Sequence, residues 1–184
     1  MINVGIVRYP GSNCDLETYR YFEFNDNNCF YIWHKETDFS LLDNLDLLVL
    51  PGGFAFGDRI YNKATENYII SPGTMALESP VSALIKRAAI RNIPILGICN
   101  GFQILTQMGL LPGSLKLNKT GSFISKKVKC CIQYKDINQD TELYIANSYG
   151  KYENDYELED DECYFLKYED GQVGGVCKKN ILGM

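Results

Sequence analysis

The sequence predicts an α/β domain: a mostly parallel, doubly wound sheet with flanking helices that leads into a β-rich C-terminal portion. Three observations predict it. Continuous apolar runs of strand length recur through the first half of the chain, segments with helical spacing separate them, and the second half reads as strands joined by short polar turns. Strand–helix alternation gives parallel pairing through βαβ units, and continuous apolar runs fit strands covered on both faces.

The elements follow in order. Residues 4–7 form a first strand, and the loop Tyr9-Pro10-Gly11-Ser12-Asn13 follows it. Residues 15–24 read as a helix, residues 29–33 as a second strand and residues 45–50 as a third. Residues 80–91 have helical spacing, with Val81, Leu84, Ile85 and Ala88 on one stripe. Pro80 is placed to open that helix, where its missing N–H is no loss. Residues 93–98 are a buried strand, and residues 102–110 begin the next helix. Residues 125–134, 143–146, 163–168 and 173–177 read as strands, with turns such as Glu169-Asp170-Gly171 between them, so this part is expected to be antiparallel. The acidic stretch 153–162 is expected to be a solvated loop. There is no internal repeat or low-complexity linker.

A chain of 184 residues is one domain by the usual relation of length to core size. A formal charge of −5 and a pI near 4.9 argue against nucleic acid or an anionic membrane surface as a partner. No apolar run is long enough to cross a membrane, and the first residues lack the basic segment of a signal peptide. Seven cysteines without a secretion signal are expected to be reduced thiols in the cytoplasm. Cys130 and Cys131 are adjacent and no Cys-x-x-Cys occurs, so no metal site is expected. Cys29, Cys130, Cys131 and Cys177 are expected to be small buried hydrophobes.

Chemistry concentrates at Gly97-Ile98-Cys99-Asn100-Gly101, between a strand and a helix. This is a nucleophile elbow with cysteine at its apex: the turn is too sharp for larger residues at the glycines, and it aims the side chain at a helix N-terminus. The N–H groups and dipole there favour a thiolate and a developing oxyanion, which points to acyl transfer. Pro51-Gly52-Gly53 also follows a strand, where glycines let backbone N–H groups approach a ligand. With the elbow downstream, an oxyanion hole is the better reading. His34, the one histidine, follows Trp33 and is expected to be structural rather than a base.

Five blocks occur in order: Pro10-Gly11-Ser12-Asn13-Cys14-Asp15, Trp33-His34-Lys35-Glu36-Thr37, Leu50-Pro51-Gly52-Gly53-Phe54-Ala55-Phe56-Gly57-Asp58, the elbow continued through Phe102-Gln103-Ile104-Leu105, and Gly109-Leu110-Leu111-Pro112-Gly113. Together they closely resemble the class I glutamine amidotransferases, and among these the glutaminase subunits of phosphoribosylformylglycinamidine synthase. The resemblance runs the length of the chain. It implies a class I glutamine amidotransferase-like, flavodoxin-like fold. It also implies a glutaminase in which Cys99 attacks the side-chain amide of glutamine to give a thioester and ammonia, and water then releases glutamate. Gly52, Gly53 and the N–H of Asn100 match the positions that cradle the oxyanion, and Gln103 matches one beside the bound glutamine. The ammonia would pass to a large synthetase subunit, which converts formylglycinamide ribonucleotide to the amidine in purine biosynthesis, with a small accessory subunit completing the complex. No cofactor is expected in this chain; ATP and Mg²⁺ are expected on the synthetase.

The departures are equally specific. The family's catalytic His and Glu stand in a His-Pro-Glu motif after a Leu-Gly-Met strand end, and here Leu182-Gly183-Met184 is the last of the sequence. Asn147 stands where the family has a histidine, and residues 60–79, including Tyr61-Asn62-Lys63-Ala64-Thr65, differ from the expected form. The leading expectation is therefore a single amidotransferase domain over residues 1–184 that lacks its C-terminal end. The alternative is a catalytically inactive docking module of the same synthase. A stress-response or peptidase-like relative with the same elbow ranks last, because it would not share residues 10–15.

Overall fold

A computed structural model of the protein describes residues 1–58 and 70–184, so Tyr61 to Thr65 of the divergent segment lie outside the described residues. The first half alternates as expected: β1 (Asn3–Arg8), α1 (Asp15–Phe24), β2 (Asn28–Trp33), β3 (Leu47–Leu50), α2 (Val81–Ile90), β4 (Ile95–Gly97) and α3 (Asn100–Gln107). Strands follow: β5 (Ser114–Lys116), β6 (Ile124–Tyr134), β7 (Ile137–Asn147), β8 (Lys151–Glu153), β9 (Glu162–Tyr168), β10 (Val173–Lys178) and β11 (Ile181–Gly183). Nine of them form one sheet in the order β2-β1-β3-β4-β11-β10-β9-β6-β7, while β5 and β8 pair separately. The β2-β1-β3-β4-β11 half is parallel throughout, and β11 turns the sheet antiparallel by pairing with β10.

Both faces of the parallel half are covered. Val4, Ile6 and Val49 face Tyr19 and Phe22 of α1. Val7, Leu48 and Leu50 face Leu84 and Ile85 of α2 and Ile104 and Leu105 of α3. The four stripe residues of α2 are all fully buried. The direction of winding changes between β1 and β3, and ligands bind outside the carboxyl ends of the strands at such a switch point. The loops after β1 and β3 meet there: Cys14 N–H donates to Gly52 O at 3.3 Å and Phe54 N–H to Gly11 O at 2.9 Å. No helix among the described residues is long and apolar enough to cross a membrane.

The structure departs from the sequence reading in five places. β7 spans eleven residues where residues 143–146 were expected, because its polar first half is paired with β6 along its whole length and carries no apolar alternation. α3 starts at Asn100 rather than Phe102, since the elbow cysteine itself caps the helix. Not all cysteines are free thiols: Cys163 and Cys177 are joined in a disulfide. They are directly opposed on antiparallel β9 and β10 with Cα atoms 5.1 Å apart, a proximity set by strand register. Of the cysteines expected to be buried, Cys130 and Cys177 are, whereas Cys29 and Cys131 are only half-buried.

The acidic stretch is not wholly solvated either. The Glu162 side chain is 1% exposed and its carboxylate lies 2.9 Å from the Lys178 ammonium, which also reaches Glu159 at 3.3 Å. Removing one partner of a fully buried pair costs about 3–5 kcal/mol. Lys178 is partly solvated, so Lys178→Met is expected to destabilise the fold by about 1–3 kcal/mol. A lower urea midpoint at unchanged slope is the expected reading; an unmoved midpoint would contradict the pairing.

Candidate active site

The elbow is held from both sides. Cys99 has φ 51° and ψ −104°, a conformation that L-residues adopt only when their surroundings impose it. Its N–H donates to Met184 O at 2.7 Å, while Met184 N–H donates to Gly97 O at 3.0 Å and Ile98 N–H to Leu50 O at 3.0 Å. The flanking β3 and β11 thus fix the backbone on each side of the thiol. A Cβ on Gly101 would lie 2.0 Å from Leu50 O, and one on Gly97 would lie 2.5 Å from a Leu105 methyl. These contacts account for both glycines of the motif.

Cys99 opens onto a cavity of about 430 Å³ that is also lined by Gly52, Gly53, Asn100 and Gln103, so the structure brings together every site residue expected from the sequence. The backbone N–H groups of Asn100 and Gly53 favour the anionic sulfur, while the thiol itself donates to Ala146 O at 3.9 Å. A Cβ on Gly52 would stand in ordinary contact with Cys99 Cβ, at 3.4 Å. Gly53 has φ 139°, and a Cβ on it would meet Asn13 N at 2.7 Å. Burial pushes the Cys99 thiol pKa up, and the two N–H groups act against it.

Gln103 donates from Nε2 to Tyr149 O at 3.0 Å and accepts at Oε1 from Asn100 Nδ2 at 3.0 Å. Asn100 Nδ2 also donates to Asp58 at 2.8 Å, and Asn100 Oδ1 accepts from Ala55 N–H at 2.9 Å. Asp58 was not singled out from the sequence, although it ends the Pro51-Gly52-Gly53 block. It is 4% exposed, lines the cavity, and burial pushes its carboxyl above the ordinary range against hydrogen bonds from Asn100 and Gly73. Asn118 was also missed, and no sequence signal marks it. Its Nδ2 donates to Asn147 O at 2.9 Å and Oδ1 at 3.1 Å, and its Oδ1 accepts from Gly150 N–H at 3.1 Å, which shapes the cavity wall. Phe123 and Tyr144, 50% and 81% exposed, rim the mouth.

No histidine or glutamate lines this cavity among the described residues. His34 is tied elsewhere: its Nδ1 lies 3.1 Å from Ser79 Oγ, which in turn donates to His34 O at 2.7 Å, and its ring stands edge-on to Trp33 and Phe56. Burial pushes its pKa down, which keeps it neutral in a structural role. With no histidine or glutamate beside Cys99 among the described residues, its alkylation by iodoacetamide is expected to keep accelerating above pH 8.5, the ordinary thiol midpoint, because burial dominates. A rate plateau below pH 8 would contradict this.

The chain is similar to known proteins along its length. A family model for the CobB/CobQ-like glutamine amidotransferase domain matches residues 1–173. The phosphoribosylformylglycinamidine synthase subunit PurQ of Helicobacter hepaticus is 36% identical, with 100% of this chain and 86% of the relative covered. That of Zymomonas mobilis is 37% identical over 100% of this chain and 87% of the relative. A solved structure described as PurLQS from Thermotoga maritima superposes with a TM-score of 0.83 at 32% identity, over 100% of this chain and 85% of the solved one. Elbow, paired glycines and sheet order therefore sit in a chain that belongs to the PurQ family of phosphoribosylformylglycinamidine synthase subunits, built on the CobB/CobQ-like glutamine amidotransferase domain.

Proposed function

We propose that this chain is a glutaminase subunit that hydrolyses glutamine through a thioester on Cys99 and supplies the ammonia to a synthetase. The observation that carries the reading is the thiol at the strained elbow, at the wall of a cavity large enough for an amino acid that Gly53 and Asn100 also line. Cys99 Sγ attacks the carboxamide carbon, and the carbonyl oxygen takes up negative charge beside the N–H groups of Asn100 and the Gly52–Gly53 turn. Ammonia leaves as the thioester forms, and water then releases glutamate and restores the thiol. Preorganised N–H groups of this kind contribute about 3–4 kcal/mol each in comparable sites. Gln103, fixed between Asn100 and Tyr149, positions the amino-acid end of the substrate.

The relatives are named as subunits of phosphoribosylformylglycinamidine synthase, and this supports a large synthetase subunit and a small accessory subunit as partners. On this reading the ammonia converts formylglycinamide ribonucleotide to the amidine, and ATP and Mg²⁺ act on the synthetase. The reading takes the chain as one domain in a cytoplasmic setting, with five of its cysteines free and Cys163 and Cys177 joined. The docking-only alternative draws nothing from the site, because the elbow and its glycines are intact.

In the family that the chain resembles, the base and acid follow the strand end that is β11 here. Met184 is bonded to both Gly97 and Cys99, so a His-Pro-Glu segment after that strand end falls beside the thiol. General acid–base assistance is worth about 10²- to 10⁴-fold. A polypeptide of residues 1–184 alone is expected to hydrolyse glutamine slower by that factor than one extended by such a segment, measured as glutamate release. Equal rates would contradict the assignment.

A further inference from the structure

The cavity holds a second thiol that the glutaminase chemistry does not use. Cys14 is the residue preceding α1, just as Cys99 is the residue preceding α3, and neither side chain makes a capping hydrogen bond. Both line the same cavity, with Cys14 exposed and Cys99 half-buried. Both approach Gly52: the Cβ position on Gly52 is 3.4 Å from Cys99 Cβ and 3.7 Å from both Cβ and Sγ of Cys14, so the two cysteine Cβ atoms are at most about 7 Å apart. A disulfide holds its Cβ atoms about 4 Å apart. Any remaining gap closes by movement of Cys14, which is exposed on the loop between β1 and α1.

The two environments differ in a way that sets an order. Cys99 has the N–H groups of Asn100 and Gly53 to receive a negative sulfur. Cys14 has the carboxylates of Glu17 and Asp15 nearby, which add to burial in holding it as the thiol. Burial holds both thiols up, but the N–H groups beside Cys99 favour its anion while the carboxylates beside Cys14 disfavour its own, so the proposed order takes Cys99 first.

We propose that Cys14 and Cys99 form an oxidisable pair, in which peroxide converts Cys99 to a sulfenic acid and Cys14 condenses with it to a disulfide that closes the active site. In the first step the Cys99 thiolate attacks one peroxide oxygen; an S–O bond forms, the O–O bond breaks and hydroxide leaves. In the second the Cys14 sulfur attacks the sulfenic sulfur; an S–S bond forms, the S–O bond breaks and the oxygen departs as water with the Cys14 proton. Two thiols and one peroxide thus give one disulfide and two waters. The inference rests on Cys99 being the reactive sulfur of the proposed function, but its test reads thiol chemistry and not glutamine turnover.

The test is peptide mapping of the full chain after mild hydrogen peroxide, digested with trypsin without reduction. Peptide 9–20, which carries Cys14, is expected to be linked to peptide 92–116, which carries Cys99, and dithiothreitol should restore iodoacetamide labelling of Cys99. In Cys14→Ser the link is lost, Cys99 proceeds to the sulfinic acid, and dithiothreitol no longer restores labelling. Cys99 over-oxidised beside a free Cys14 in the unmutated chain, either peptide linked to a different cysteine, or full recovery in Cys14→Ser would each overturn the proposal. If the pair forms but glutamine is never hydrolysed by the extended chain, the glutaminase reading fails on its own.

Discussion

The site depends on one backbone conformation, the positive φ of Cys99. Conformations of this kind cost of order 1–3 kcal/mol and persist only where the surroundings over-determine them. Here β4 ends at Gly97 between two parallel neighbours, β3 and β11, and each supplies a carbonyl to the turn: Leu50 O to Ile98 N–H and Met184 O to Cys99 N–H. The central position of β4 in the sheet is thus what holds the thiol up, and the absence of side chains at Gly97 and Gly101 is what lets α3 start so close behind it.

From that constraint the rest of the site follows outward. Because α3 begins at Asn100, its first side chain is buried and becomes a hub: Asn100 ties Ala55, Asp58 and Gln103 to the helix start. The loops after β1 and β3 are then bonded to each other, which sets Gly53 and Cys14 in the same cavity as Cys99, with Gly52 close to both cysteines. The far wall comes from the end of β7, where Asn118 clamps Asn147 and Gly150. Parallel strands build the reactive half of the cavity, and the antiparallel half closes it.

What was legible in the sequence is what local rules decide. α1 lies where its pattern placed it, the four apolar residues of α2 are all buried, and the elbow glycines are needed for the contacts they make. Legibility ended where pairing across the chain decides. The polar half of β7 is a strand only because β6 lies beside it, and Cys163 meets Cys177 only because of the register of β9 and β10. Glu162 reads as one acid among many, yet it is buried because Lys178 stands opposite it. Asp58 and Asn118 act through hydrogen bonds to residues distant in sequence, 42 positions away for Asp58 to Asn100 and 29 for Asn118 to Asn147.

The central claim is that Cys99 is the sulfur that meets the amide carbon of glutamine. The most direct measurement is labelling with a chloroketone analogue of glutamine, followed by mass spectrometry of the digested chain. The account predicts a single adduct at Cys99 on peptide 92–116, formed more slowly as free glutamine is raised. An adduct on Cys14 or any other cysteine instead, or labelling of Cys99 that glutamine does not slow, would contradict it.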